Sequence, residues 1–167
     1  MKRYAVNAAK LFLILTVLAS SACGLGTSAY KDAILDGASN LNRGRTDQAM
    51  ADFNRAIQLD PQQAGGYVGR GNTFNILGRY EEAVADYNTA IGIDPTQAEA
   101  YANRAIAYDR LKEYEKAIAD YEKCLALDPK IDNPPGFIKR LFSNEPNQER
   151  GIRKRLEALK TQVEKKS

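Results

Sequence analysis

DYNTAIGIDP, residues 86–95, reads as the end of a helix stopped by a proline. The chain says nearly the same thing twice more, as DFNRAIQLDP at 52–61 and DYEKCLALDP at 120–129. Pro61, Pro95 and Pro129 fall 34 residues apart without slippage. Proline cannot continue a helix and pushes the residue before it out of helical geometry, so each LDP or IDP closes one. A fixed period of this length marks an array whose units bury their apolar faces only against one another.

In register, the units are residues 30–63, 64–97 and 98–131. The eighth slot is small (Gly37, Gly71, Ala105), the twentieth is Ala49, Ala83 and Ala117, and the twenty-seventh is Ala56, Ala90 and Cys124. The twenty-fourth is aromatic: Phe53, Tyr87, Tyr121. Small side chains are needed where two helix backbones cross closely, and aromatics fill the gaps beside the crossing. Leu77-Gly78 ends a helix with a glycine free to turn left-handed. Unit one is poorer in aromatics, with Ala33, Asn40 and Thr46 in slots its neighbours fill with rings. The stretch AGGYVGRG at 64–71 crowds Gly65, Gly66, Gly69 and Gly71 into the start of a helix. A phosphate-cradling loop needs its glycines between a strand and a helix, so a loosely held first turn is expected here.

This pattern resembles the tetratricopeptide repeat over residues 30–131. The resemblance implies an all-α, right-handed solenoid of three helix pairs, with a concave wall lined by the first helix of each pair. In that family the wall binds an extended peptide or a partner's helix. Carried across by slot, it implies Gly65, Val68, Gly69, Asn72, Asn75 and Ile76 in unit two, and Glu99, Ala102, Asn103, Ile106, Asp109 and Arg110 in unit three. Asn72, Asn75, Asn103 and Arg110 are the candidate partner-binding residues. Asn72 and Asn103 match the two asparagines with which relatives grip a terminal carboxylate. Val68 stands where that arrangement needs a lysine, and the final basic pair is missing, which disfavours carboxylate capture. The alternative is that each asparagine is simply a polar residue of the wall.

The remaining classes are bounded by composition. The chain has 167 residues, 44% apolar and 27% charged, and no histidine, which removes the commonest general base and metal ligand. Asp52, Asp86 and Asp120 recur at one slot, so they read as architecture and not as a converging catalytic pair. No catalytic residue, metal site or cofactor is expected. The wall is not basic, so no nucleic-acid partner is expected either.

The N-terminus is a separate segment. Lys2, Arg3 and Lys10 precede the apolar run LFLILTVLA and then SSACG, the layout of a secretory signal and about half the length of a membrane span. Ser21-Ala22-Cys23 resembles the lipobox of bacterial lipoproteins, in which Cys23 receives lipid and becomes the first mature residue. An ordinary signal peptide with Cys23 a free thiol is the alternative. Lipidation leaves Cys124 alone in a packed slot. The resemblance implies anchoring in the cell envelope, at the outer membrane facing the periplasm if the host has two membranes, since Gly24 follows Cys23. Losing residues 1–22 leaves a chain of no formal net charge, acidic through the repeats and basic in the tail.

The expected organisation is therefore a signal peptide at 1–22, a linker at 23–29, repeats at 30–131 and an extension at 132–167. In the extension, Ile152, Leu156, Leu159 and Val163 form one stripe of a helix at about 147–165. That helix reads as a cap for the last repeat; its basic face could also meet an anionic lipid or glycan. The functional expectation is a lipid-anchored scaffold or adaptor for envelope assembly. An exported, non-lipidated binding protein and an envelope enzyme are the other readings.

Overall fold

A computed structural model of the chain describes residues 28–131 and 151–165; the signal segment, Cys23 and residues 132–150 lie outside the described residues. The described residues form seven helices and no strand. They are α1 (28–42), α2 (Thr46–Leu59), α3 (Ala64–Ile76), α4 (Tyr80–Ile93), α5 (Ala98–Arg110), α6 (Tyr114–Leu127) and α7 (Ile152–Glu164). No helix among them is long and apolar enough to cross a membrane. The pairs α1/α2, α3/α4 and α5/α6 stack in chain order, so the fold is an all-α solenoid of three helix pairs with α7 against the last.

Both kinds of helix end follow from local chemistry. First helices stop in a left-handed residue at a fixed slot: Gly44 at φ 75°, Gly78 at φ 73° and Lys112 at φ 62°. The next residue's N–H then bonds back into the last turn, Arg45 to the Asn40 carbonyl, Arg79 to Phe74 and Glu113 to Tyr108. This closes carbonyls the helix leaves open. Second helices end at Asp60, Asp94 and Asp128. Each of these carboxylates accepts the backbone N–H two residues on, from Gln62 at 3.1 Å, Thr96 at 3.0 Å and Lys130 at 2.9 Å. The aspartate before each closing proline thus folds the linker into an Asx turn.

The repeated small residues are buried at the crossings: Ala49, Ala83 and Ala117, with Ala56, Ala90 and Cys124, have no exposed surface. Burial pushes the Cys124 thiol up to about 12, with Asp128 adding to the shift. Cys124 is therefore a protonated packing residue at neutral pH.

The units are also stitched by charge. Arg70 forks onto Asp86 with Nη2 at 2.7 Å and Nε at 2.8 Å, while its Nη1 donates to Asn54 in the preceding pair at 2.8 Å. Thirty-four residues on, Arg104 repeats this with Asp120 and Asn88. In unit one Asp52 accepts instead from Asn40 at 2.8 Å. The aspartates that recur in the sequence are thus held between helices as parts of the frame.

The glycines of α3 behave otherwise than expected. Propensity alone predicts a loose first turn, but Gly66 and Gly69 are buried, and they let α3 approach α2. A Cβ on Gly66 would lie 2.8 Å from Ile57 Cγ1, and one on Gly69 would lie 2.2 Å from Phe53 Cε1. The entropic cost of glycine is exchanged here for close contact between helices.

The α7 helix lies on the last pair. Ile152, Leu156 and Leu159 are buried in one cluster with Tyr101, Ile106, Tyr121 and Cys124, and Val163 is half-buried. Arg155 forks onto Asp109 with two bonds of 2.7 Å, and Lys160 meets Glu122 at 2.9 Å. Arg153 donates to the Pro129 carbonyl. Three basic residues of α7 thus help hold the cap to the repeats.

Candidate functional site

The first helices α1, α3 and α5 border one cleft of about 320 Å³. Ile34, Ala38, Leu41 and Asn42 come from α1, Gly65, Val68, Gly69 and Asn72 from α3, and Glu99 and Asn103 from α5, with Phe53 of α2 also lining it. At Gly65 and Gly69 α3 offers only hydrogens where other first helices carry side chains, and Tyr30 and Phe53 take that space beside the cleft. The Phe53 ring lies against Gly37 on one side and Gly69 on the other. Among the eleven lining residues Glu99 is the only charged one.

The four residues singled out from sequence divide. Asn72 is half-buried on the cleft wall, and Asn103 borders the cleft although only 2% of its surface is exposed. Asn75 does not line the cleft and is 1% exposed, so the expected open position on the wall is replaced by a buried one. Arg110 is half-buried at the far end of α5 and does not border the cleft.

The asparagines serve each other. Asn75 Nδ2 donates to the Asn103 backbone carbonyl at 3.2 Å and to the Tyr87 hydroxyl at 3.0 Å. Tyr87 in turn donates to Asn72 Oδ1 at 2.7 Å, and Asn103 Nδ2 donates to the same oxygen at 2.8 Å. Complete burial pushes the Tyr87 hydroxyl well above its ordinary range, with Asp86 adding to it, so the proton stays available to donate. The directions are forced in sequence. A carbonyl acceptor fixes the Asn75 amide, Tyr87 must then donate onward, and Asn72 must present oxygen to it. This leaves Asn75 Oδ1 and Asn103 Oδ1 both buried without a hydrogen-bond partner among the described residues.

Slot numbers give a residue's angle around a helix but not its depth, which depends on how closely the next helix approaches. That is why Asn75 reads as surface and lies in the interior. The α1 residues Ile34, Ala38, Leu41 and Asn42 were missed because the slots were carried across only for units two and three. The fifth, ninth, twelfth and thirteenth slots of unit one name all four. Phe53 is reached only through the two glycines that flank it.

Residues 98–131 and 38–63 match the tetratricopeptide repeat, and residues 71–112 match the TPR repeat. The fold is similar to the first TPR of Spaghetti (RPAP3) bound to the HSP90 peptide SRMEEVD. That likeness has a TM-score of 0.68 at 20% identity, over 82% of this chain and 94% of that one. It is also similar to the TPR domain of Arabidopsis OM64, with a TM-score of 0.63 at 27% identity over 70% and 96% of the two chains. The TPR2B domain of yeast Sti1, in a complex with an Hsp70 peptide, gives 0.65 at 24% identity over 81% and 98%. No curated protein matches the chain.

Proposed function

The chain belongs to the tetratricopeptide-repeat family, and on that premise we propose that it is an interaction module that holds a segment of a partner protein in the cleft between α1, α3 and α5. The observation that carries this reading is the cleft itself, an open apolar recess bordered by three successive first helices. Two of the similar structures hold peptides, of HSP90 in one case and Hsp70 in the other. With Val68 on the wall and no lysine or arginine lining the cleft, capture of a carboxylate terminus is not part of the proposal. The module acts as a scaffold or adaptor in assembly of the cell envelope, and it is a binding protein and not an enzyme.

The anchor is the second part of the proposal. The segment LFLILTVLASSAC at 11–23 supports export with lipid attached to Cys23, which places the repeats at the membrane surface, facing the periplasm from the outer membrane in a two-membrane host. Affinity recovery of the detergent-extracted full chain, compared with Val68→Trp, tests the groove. The indole fills the cleft, and the partner recovered by the unaltered chain is then lost while circular dichroism is unchanged; recovery of the same partner by both refutes the reading. Intact mass tests the anchor, since a mature chain beginning at Cys23 without acyl mass excludes it.

A further inference from the structure

The chemistry of the cleft goes further than its shape, and the selectivity it implies rests on the cleft being the partner-binding groove. Its volume of about 320 Å³ is at the small end for binding pockets, so it admits one or two side chains and not a whole helix. Its walls are apolar at Ile34, Leu41 and Val68. The polar side is one-sided in character. Glu99 is exposed in the first turn of α5, and Asn103 follows one turn later on the same helix, both bordering the cleft. Residues four apart share a helix face. Asn103 spends its Nδ2 on Asn72, and its Oδ1, like that of Asn75, is closed off, so Glu99 is the charged group that the cleft presents to a ligand.

A carboxylate on an otherwise uncharged wall, with no lysine or arginine among the lining residues, calls for a positively charged donor. We propose that the cleft selects a peptide segment bearing an apolar side chain beside a lysine or arginine, and rejects acidic segments. The apolar side chain fills the recess against Val68 and Leu41. The ammonium or guanidinium donates to Glu99, in a charge-assisted hydrogen bond stronger than a neutral one. Rejection of acidic segments comes from the same Glu99, since like charges in one cleft repel.

The test is selection from a random dodecapeptide phage library on the detergent-extracted full chain, followed by fluorescence-polarisation titration of the winning peptide. Lysine or arginine next to leucine, isoleucine or phenylalanine should be enriched. Replacing the winner's cation with glutamate should raise Kd at least tenfold. Glu99→Gln, at an exposed position where folding is not at stake, should remove most of that difference, and Glu99→Lys should reverse it. Trimethylating the lysine keeps its charge and removes its donors, so Kd should rise at least threefold; unchanged binding overturns the hydrogen bond to Glu99. Peptides that bind, are lost in Val68→Trp and yet show no preference for a cation overturn the selectivity while leaving the groove intact. If no peptide is enriched, or Val68→Trp binds as well as the unaltered chain, the groove reading itself fails and this inference with it.

Discussion

Gly69→Ala sets two effects against each other, and the structure decides the sign. In an open helix this change stabilises by about 1 kcal/mol, because glycine is the poorer helix former. At Gly69 the new Cβ meets three atoms of the Phe53 ring at 2.2, 2.4 and 2.6 Å, more than an ångström inside ordinary contact. The ring cannot retreat, because the Cβ position of Gly37 already lies 2.7 to 2.9 Å from it on the other side. Overpacking of a buried site costs about 1–3 kcal/mol. With contacts this short the cost lies toward the upper end, about 2–3 kcal/mol, so the net expectation is a loss of about 1–2 kcal/mol, or a fall in Tm of roughly 5–15 °C. Gly92→Ala is the control that keeps the propensity gain without the clash: its Cβ meets nothing within 4 Å, and it should stabilise by about 0.5–1 kcal/mol. Urea and thermal unfolding of the single variants, and of Gly69→Ala combined with Phe53→Leu, measure the coupling directly. The smaller leucine should make Gly69→Ala less harmful by about 1 kcal/mol or more. A Gly69→Ala protein that melts at or above the unaltered chain refutes the argument that Phe53 is clamped between two glycines.

Other consequences are as sharp. Tyr87 and Tyr121 share a slot, but the Tyr87 hydroxyl joins Asn75 and Asn72 while the buried Tyr121 hydroxyl has no partner among the described residues, so Tyr87→Phe should cost about 1–3 kcal/mol and Tyr121→Phe should be neutral or stabilising by calorimetry. Lys112 occupies the left-handed position that Gly44 and Gly78 hold elsewhere, so Lys112→Gly should raise stability by about 1 kcal/mol, whereas Lys112→Ala should leave the urea midpoint unchanged. The Cys124 thiol is raised to about 12 in the folded chain against about 8.5 when unfolded, so the unfolded state holds fewer protons between these values and stability should fall as pH rises from about 8.5, a slope that Cys124→Ala makes shallower. In a Cys23→Ser background, a thiol reagent at pH 8 should label Cys124 only on unfolding. Arg155→Ala strands the Asp109 carboxylate, whose side chain is 8% exposed, and should cost about 3 kcal/mol or more, while Lys154→Ala should change the melting temperature by less than a degree or two; equal effects would show that α7 is not held by that ion pair.

By itself the sequence determined everything that depends on local chemistry repeated at a period. The prolines and their aspartates mark where second helices end, Gly78 marks where a first helix ends, and the small slots mark the crossings, because each rule acts within a few residues. Recurrence of Asp86 and Asp120 at one slot was enough to place them in the frame before Arg70 and Arg104 were seen to hold them. Only the tertiary structure decided what depends on the distance between helices. The angle of Asn75 on α3 was legible, but its depth was set by α5, whose Asn103 carbonyl it reaches across 28 residues. The glycines of α3 read as weakness until α2 was seen to press Phe53 and Ile57 against them. Asp109 and Arg155 stand 46 residues apart, outside any repeat period, and meet only because α7 covers the apolar face left by the last pair. Local rules carry their own energy, whereas a cleft and an orphaned acceptor arise from how closely separate helices pack, and no window along the chain contains that distance.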